Sequence, residues 1–505
     1  MTDLTTTPET TGMSIGGEER QARSGETMPV LAPATGATIA HVPAGGAADV
    51  ELAVAAAKRA FDDGPWARMP AAQRARVLHR LADLIDERLP ELYALETANN
   101  GRPIVETRAQ LGLVAELFRY NASLAVTQRT DVIDIGADYL CYLQRAPLGV
   151  CAVIAPFNHP LVIMARGVAP ALAAGNTVVV KPSELTPLTA LAFARLAAEA
   201  GVPDGVVNVV TGLGLDVGAP LTEHPDVAKV DFTGGVNAGR AVAVAAARRF
   251  ATSTTELGGK SPVLVFDDAG VERAARGIAF AGFIASGQTC ICGSRLLVQE
   301  TIYDEFLAAL VAHASAIRIG DPADEATQMG PLISADARDR AARYTEIGVG
   351  EGAHVALGGR EPELPAPFDG GFYFSPTILA GARNEMRCAQ EEIFGPVLVV
   401  APFGDEQDAL RQANDIPFGL GAAIWTRDVA RAHRVAKQIR SGMVWVNDHH
   451  RAGPSMPWGG LKDSGSGKQA GKEAFDGFTS IKSVIVRTAE NDVDWYGDDA
   501  HDRLN

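Results

Sequence analysis

Between Val150 and Phe232 short apolar runs alternate with Ala-rich stretches of helical spacing, and nothing else in the sequence constrains the fold as strongly. Val150 to Ala155 has the length and apolar character of a buried strand, Asn158 to Ala174 reads as a helix, and Thr177 to Val180 is β-branched. A helix near Pro187 to Ala200, a strand at Val206 to Val210, a helix from Leu215 to Thr222 and a strand at Val227 to Phe232 continue the order. Strands separated by helices in this way run parallel, with both faces covered and a ligand site at their carboxyl ends.

The expected fold class is therefore α/β, with a Rossmann-like parallel sheet. A second series of strands follows Gly258, at Val263 to Phe266, Arg295 to Gln299, Val397 to Pro402, Ala422 to Trp425 and Val444 to Asn447, and predicts a second α/β domain. Amphipathic helices are expected over Ala47 to Phe61 and Ala71 to Asn99, covering a sheet. Asp131 to Val150 reads as two short strands about Arg145-Ala146-Pro147, and Phe478 to Arg487 as one extended strand. Open edges of this kind are paired or covered in natural proteins, so these segments are expected to form a small β oligomerisation element pairing across subunits. The division predicted is a disordered leader at 1–28, a first domain over 29–130 and 151–258, a second over 259–463, and the oligomerisation element at 131–150 and 475–490.

With 505 residues the chain is long enough for about three domain-sized units. A net charge of −16 argues against nucleic acid and anionic membranes as partners, and no apolar run approaches the length of a membrane span. The five cysteines are sparse and odd in number, which fits a reducing cytoplasm better than a disulfide scaffold. Cys290 and Cys292 lack the spacing of a zinc site, so no metal is expected.

The chemistry concentrates in two segments. Gly287-Gln288-Thr289-Cys290-Ile291-Cys292-Gly293 places a thiol on a glycine-flanked turn, and Thr255-Glu256-Leu257-Gly258-Gly259-Lys260 places a carboxylate 34 positions earlier. A thiol can add to an electrophilic carbon and a carboxylate can draw a proton from water, the two tasks of a thioester cycle ending in hydrolysis. Each residue alone also fits a bland reading, a buried structural cysteine and a solvated turn.

Further segments occur in a recognisable order: Pro156-Phe157-Asn158-His159-Pro160, Lys181-Pro182-Ser183-Glu184, Phe232-Thr233-Gly234-Gly235, Glu391-Glu392-Ile393-Phe394-Gly395-Pro396 and Pro457-Trp458-Gly459-Gly460. Together they make the chain resemble the NAD(P)-dependent aldehyde dehydrogenase superfamily, of the non-acylating, hydrolytic type, from about Val30 to Arg487. The resemblance implies an enzyme oxidising an aldehyde to its acid. Cys290 is then the nucleophile, Asn158 and the Cys290 backbone N–H the oxyanion donors, and Glu256 the base that hydrolyses the thioester. The domain at 29–130 and 151–258 becomes the NAD-binding domain and that at 259–463 the catalytic domain. Lys181 and Glu184 would hold the adenosine ribose, and Gly234 and Gly235 after Phe232 would form the turn near the pyrophosphate. Pro156 would line the cofactor cleft, while Glu392 and Phe394 would hold the nicotinamide ribose and brace the ring. A carboxylate at 184 would repel a 2′-phosphate and favours NAD, with NADP not excluded. A homodimer or homotetramer is implied.

Departures from the family's pattern bear on substrate. Arg166 and Gly167 stand where many relatives carry an apolar or aromatic residue and then lysine, and Arg at this position accompanies carboxylate-bearing semialdehydes. Arg166, Arg451, His159 and Trp458 are the expected substrate residues, the alternative for the arginines being surface pairing with an acid. Ile284 replaces the second arginine usual for succinate semialdehyde. A polar or carboxylate-bearing aldehyde is the leading expectation and an aromatic or aliphatic aldehyde the rival; a coenzyme A-acylating enzyme and a catalytically inactive homologue are the remaining alternatives. Cys292 suggests a reversible disulfide with Cys290. Lys468-Gln469 replaces the usual Arg-Glu, and this change has no functional reading from sequence.

Overall fold

The structure, a computed structural model, describes residues 11–490 and Tyr496. Five parallel strands form the centre of the first sheet, in spatial order Val207–Val209, Thr177–Lys181, Val150–Ile154, Val227–Thr233 and Thr252–Glu256. In chain order this is 3-2-1-4-5, so the direction of winding reverses between Val150–Ile154 and Val227–Thr233. At such a reversal the loops leaving neighbouring strands diverge and open a crevice at the carboxyl ends. Asn158, Gly234 and Glu256 all follow or end strands at that edge.

The helix between the first two strands, Pro160–Ala174, is buried at every position. Continuous apolar composition, with no polar stripe, marks a helix enclosed on all sides, and here it lies between the sheet and the 24-residue helix Ile104–Thr127. The expected single helix from Ala71 to Asn99 is two, Ala71–Glu87 and Leu89–Asn100. Pro90 accounts for the break, because it lacks an N–H and sits in the first turn of the second helix.

The second sheet has seven strands in the order His354–Leu357, Thr377–Ala380, Val397–Phe403, Arg295–Gln299, Pro262–Val265, Gly421–Trp425 and Met443–Val446. All neighbours are parallel except the edge strand His354–Leu357. The five strands expected after Gly258 are present; the two at 354–380 carry too little apolar alternation to be seen in sequence.

Two expectations are corrected. The leader expected at 1–28 falls partly on residues 1–10, outside the described residues, but Met13–Ile15 and Glu18–Arg20 form a hairpin on the edge of the first sheet. Met13 and Ile15 are buried there, and the apolar alternation of this short segment is masked by its polar flanks. The strand at 479–487 pairs antiparallel with Tyr139–Pro147 of its own chain over nine residues, and Val132–Ile133 extends the pair. The turn of the expected hairpin lies before Tyr139 and not at Arg145-Ala146-Pro147, which belong to the long strand. No helix among the described residues is long and apolar enough to cross a membrane.

Candidate active site

The helix Val271–Phe283 ends before three consecutive left-handed residues, Ala285, Ser286 and Gly287, with φ of 51°, 55° and 71°. Two of these are not glycine, a conformation that costs about 1 kcal/mol or more each and persists only where neighbours enforce it. The Ala285 N–H donates to the Glu106 carboxylate at 3.1 Å and the Ser286 hydroxyl to the Gly330 carbonyl at 2.8 Å. At Gly287 a Cβ would lie 2.3 Å from the Gly395 carbonyl, so only glycine fits. This turn delivers Cys290, partly exposed, to the wall of a cavity of about 600 Å³.

Cys292 faces elsewhere. Its thiol donates to the Gly282 carbonyl at 3.3 Å, and it lines a separate small crevice with Glu392 and Phe394. Both thiols are free. Closing a bond between them requires the loop to rearrange, because their side chains leave it in different directions.

Glu256 ends its strand 3% exposed, and neither carboxylate oxygen has a hydrogen-bond partner. Burial pushes this carboxyl well above the usual carboxylate range, the charge of Asp231 adds to the effect, and Lys468 and Arg166 oppose it. A Cβ on Gly459 would come within 2.5 Å of Glu256 Oε1, so the glycine leaves room for the carboxylate. The Asn158 amide donates to the Gln288 carbonyl at 2.9 Å, two residues before Cys290, which leaves its second N–H for another acceptor. Burial pushes the Cys290 thiol up to about 12, with Arg166 pulling the other way.

The glycines after Glu256 are explained by close approach. A Cβ at Gly258 would lie 2.1 Å from Glu392 Oε2, and one at Gly259 2.6 Å from the Cys290 carbonyl; the Gly259 N–H donates to Glu392 Oε1 at 2.9 Å. Glu392 and the Cys290 turn are thereby clamped onto one loop. Phe394 has a φ of 58° and meets Phe157, next to Pro156, edge to face at 5.6 Å. At the end of the second strand Lys181 Nζ donates to Glu184 at 2.9 Å. Burial works against ionisation of Glu184, but the Lys181 charge and hydrogen bond outweigh it and hold the carboxyl below its usual range. The Gly234 N–H donates to the Glu256 carbonyl at 3.0 Å, and a Cβ there would strike the Phe232 ring at 2.6 Å. Gly235 caps the helix Val236–Ala247 with open space around it. A helix N-terminus, a buried lysine paired with a partly exposed glutamate and a carboxylate beside the thiol loop, all around the crevice of a parallel sheet, fit a dinucleotide.

The cavity beyond Cys290 is lined by His159, Arg166, Phe280, His449, His450, Arg451 and Trp458. Arg166 is 9% exposed, its guanidinium carbon lies 4.0 Å from the Trp458 ring centroid, and it forms no ion pair among the described residues. The alternative of a surface arginine paired with an acid is therefore excluded for Arg166. Arg451 is exposed at the rim. His159 accepts or donates at Nδ1 with Gln110 at 2.9 Å, while His449 and His450 donate to the Ile291 and Ala281 carbonyls at 2.6 and 3.0 Å. Burial first, and then Arg102, Arg166 and His450, hold His159 well below its usual value, so it is neutral.

Two residues that sequence reasoning passed over, Asp231 and Lys229, lie behind Glu256 together with Gln469. Asp231 is buried, accepts from Gln469 Nε2 at 2.5 Å, and has Lys229 two residues before it on the same strand. The signal available was the pair of departures at Gly167 and Gln469, which are far apart in sequence and meet at Asp231. Among the described residues no cluster of His, Cys, Asp or Glu is arranged to hold a metal ion.

Comparison with known proteins gives consistent matches. The aldehyde dehydrogenase family matches residues 20–484. A betaine aldehyde dehydrogenase of Bacillus subtilis (strain 168) is 41% identical over 486 residues, covering 96% of this chain and 98% of its own. A phenylacetaldehyde dehydrogenase of Pseudomonas fluorescens is 41% identical over 482 residues, 94% of this chain and 95% of its own. The crystal structure of a betaine aldehyde dehydrogenase from Staphylococcus aureus, in complex with NAD+, superposes with a TM-score of 0.94 at 36% identity, covering 96% of each chain.

Proposed function

The chain belongs to the aldehyde dehydrogenase family, and on that premise we propose that it oxidises a polar or carboxylate-bearing aldehyde to the acid with NAD as acceptor. The observation that carries the reading is Cys290 on the wall of the cavity, with the Asn158 amide bonded to the loop that delivers it and the unpartnered Glu256 carboxylate near enough for its charge to act on the thiol.

Cys290, once deprotonated, adds to the aldehyde carbon, and the oxygen that gains charge is met by the free amide N–H of Asn158 and the backbone N–H of Cys290. When bound, NAD would accept the hydride that the former aldehyde carbon loses as the adduct becomes a thioester, and Lys181, Glu184, Gly234, Gly235, Glu392 and Phe394 would hold it beside Pro156. Glu256 then takes a proton from water as that water attacks the thioester, and the Cys290 thiolate leaves. A carboxyl held neutral by burial would be a poor base at acid pH, so hydrolysis rises with pH beyond the ordinary carboxylate range. The presence of this carboxylate disfavours transfer to coenzyme A.

Arg166 supports the substrate class. A buried guanidinium with no ion pair, fixed on Trp458, is ready for a carboxylate and repels a quaternary ammonium, the cation of betaine aldehyde. The rival reading, an aromatic aldehyde, draws on Phe280 and Trp458 in the same cavity and on the phenylacetaldehyde dehydrogenase relative. NADH formation on a panel of succinate semialdehyde, benzaldehyde and hexanal, without coenzyme A, tests both. Turnover that Cys290→Ala leaves intact would end the proposal.

A further inference from the structure

Asp231 has no part in the chemistry described so far, yet it is a carboxylate buried beside the deacylation base. The Val227–Thr233 and Thr252–Glu256 strands are parallel, with Asp231 opposite Thr254 and Thr233 opposite Glu256. Paired positions of parallel strands face the same way and alternate along the chain, so Asp231, Thr233, Thr254 and Glu256 share one face. Strand spacing and rise place the Asp231 and Glu256 backbones roughly 8 Å apart on that face.

Three elements hold Asp231 there. Gln469, from the loop after Trp458, donates through one Nε2 to Asp231 at 2.5 Å and to Thr233 Oγ1 at 3.1 Å. On the helix Pro160–Ala174, Gly167 leaves the room: a Cβ at that position would lie 3.0 Å from Asp231 Oδ1 and as close to Val153. Lys229 supplies partial countercharge, anchored by Thr254 Oγ1 at 2.8 Å and lying 4.8 Å from the Phe478 ring centroid. The other titratable groups facing this pair are Cys151 on the neighbouring strand, Arg166 on the helix, Lys468 from the loop and Cys290 across the cavity.

We propose that Asp231 is a positioning residue for the deacylation base: its charge, held by Gln469 in the space that Gly167 vacates, strengthens the affinity of Glu256 for a proton taken from water. The inference rests on the reading of Glu256 as that base. The arrangement has a consequence for pH. Burial pushes the Asp231 carboxyl up to about 6, against the Lys229 charge and the Gln469 hydrogen bond. Asp231 is therefore charged at neutral pH and loses its charge as pH falls through that value, while burial and the Asp231 charge hold the Glu256 carboxyl well above the ordinary carboxylate range. Like charges oppose each other's ionisation, so the two carboxyls titrate in separated steps and the acid limb of hydrolysis spreads over a wider pH range than a single group gives.

The test is the pH dependence of thioester hydrolysis in Asp231→Asn, measured as steady-state NADH formation after the first-turnover burst. Like charges at this separation predict that the limb's midpoint moves down by about one pH unit and that the limb narrows to that of one independent proton. The plateau rate should also drop several-fold, as expected for a weaker base. Gln469→Met is the second variant, for use if Asp231→Asn does not fold. Without its donor Asp231 keeps its proton to higher pH, and the midpoint again moves down, by less. A limb unmoved in both variants overturns the proposal, provided that Glu256→Gln abolishes hydrolysis while keeping the burst. If Glu256→Gln hydrolyses normally, the parent reading falls and this one with it.

Discussion

Replacing Arg166 by methionine is the sharpest probe of substrate class. Methionine keeps most of the stem that packs on Trp458 but removes the guanidinium, whose carbon lies 4.0 Å from the indole centroid. A charge-assisted hydrogen bond to a carboxylate is worth about 1.5–3 kcal/mol, and a bidentate pair lies at the upper end. Losing about 3 kcal/mol lowers kcat/KM for succinate semialdehyde by ~150-fold. Arg166 also draws the Cys290 thiol toward ionisation, so its loss slows every aldehyde. That common loss cancels in a ratio. The quantity to measure is therefore kcat/KM for succinate semialdehyde divided by that for hexanal, in Arg166→Met and in the parent enzyme at one pH. A ratio that falls by less than about threefold refutes the carboxylate reading, because only the charged substrate owes anything to the guanidinium beyond the shared effect.

Further outcomes follow from the same geometry. Gly258→Ala puts a Cβ 2.1 Å from Glu392 Oε2 and should break the Gly259 bond; a rise of about tenfold or more in KM for NAD is expected from the loss of a charged hydrogen bond. Glu184→Ala removes a carboxylate held ionised by Lys181, so NADP should gain on NAD by about tenfold when KM values are compared. Peroxide treatment should inactivate without forming a Cys290–Cys292 disulfide, since the Cys292 thiol is turned to the Gly282 carbonyl; mass spectrometry of the loop peptide decides this.

The alternation from Val150 to Phe232 made the first sheet legible, because buried parallel strands are apolar without interruption and the helices between them carry their own period. The thiol and the carboxylate were legible through their glycines. What the sequence hid was contact at a distance. Asp231 reads as one charge in an apolar strand, and only folding brings Gln469 and Gly167, hundreds of residues apart, against it. The bond from the Gly234 N–H to the Glu256 carbonyl was hidden for the same reason, since the two strands meet only in the folded sheet. The short hairpin at 13–20 escaped notice because three-residue strands on a sheet edge leave almost no period to detect.

The nine-residue ladder between 139–147 and 479–487 joins the last strand of the chain to the segment that feeds its first parallel strand. Phe478, immediately before that ladder, offers its carbonyl to Asn176 and its ring to Lys229. Residues up to 487 must therefore leave the ribosome before this ladder can close and the countercharge of Asp231 is covered.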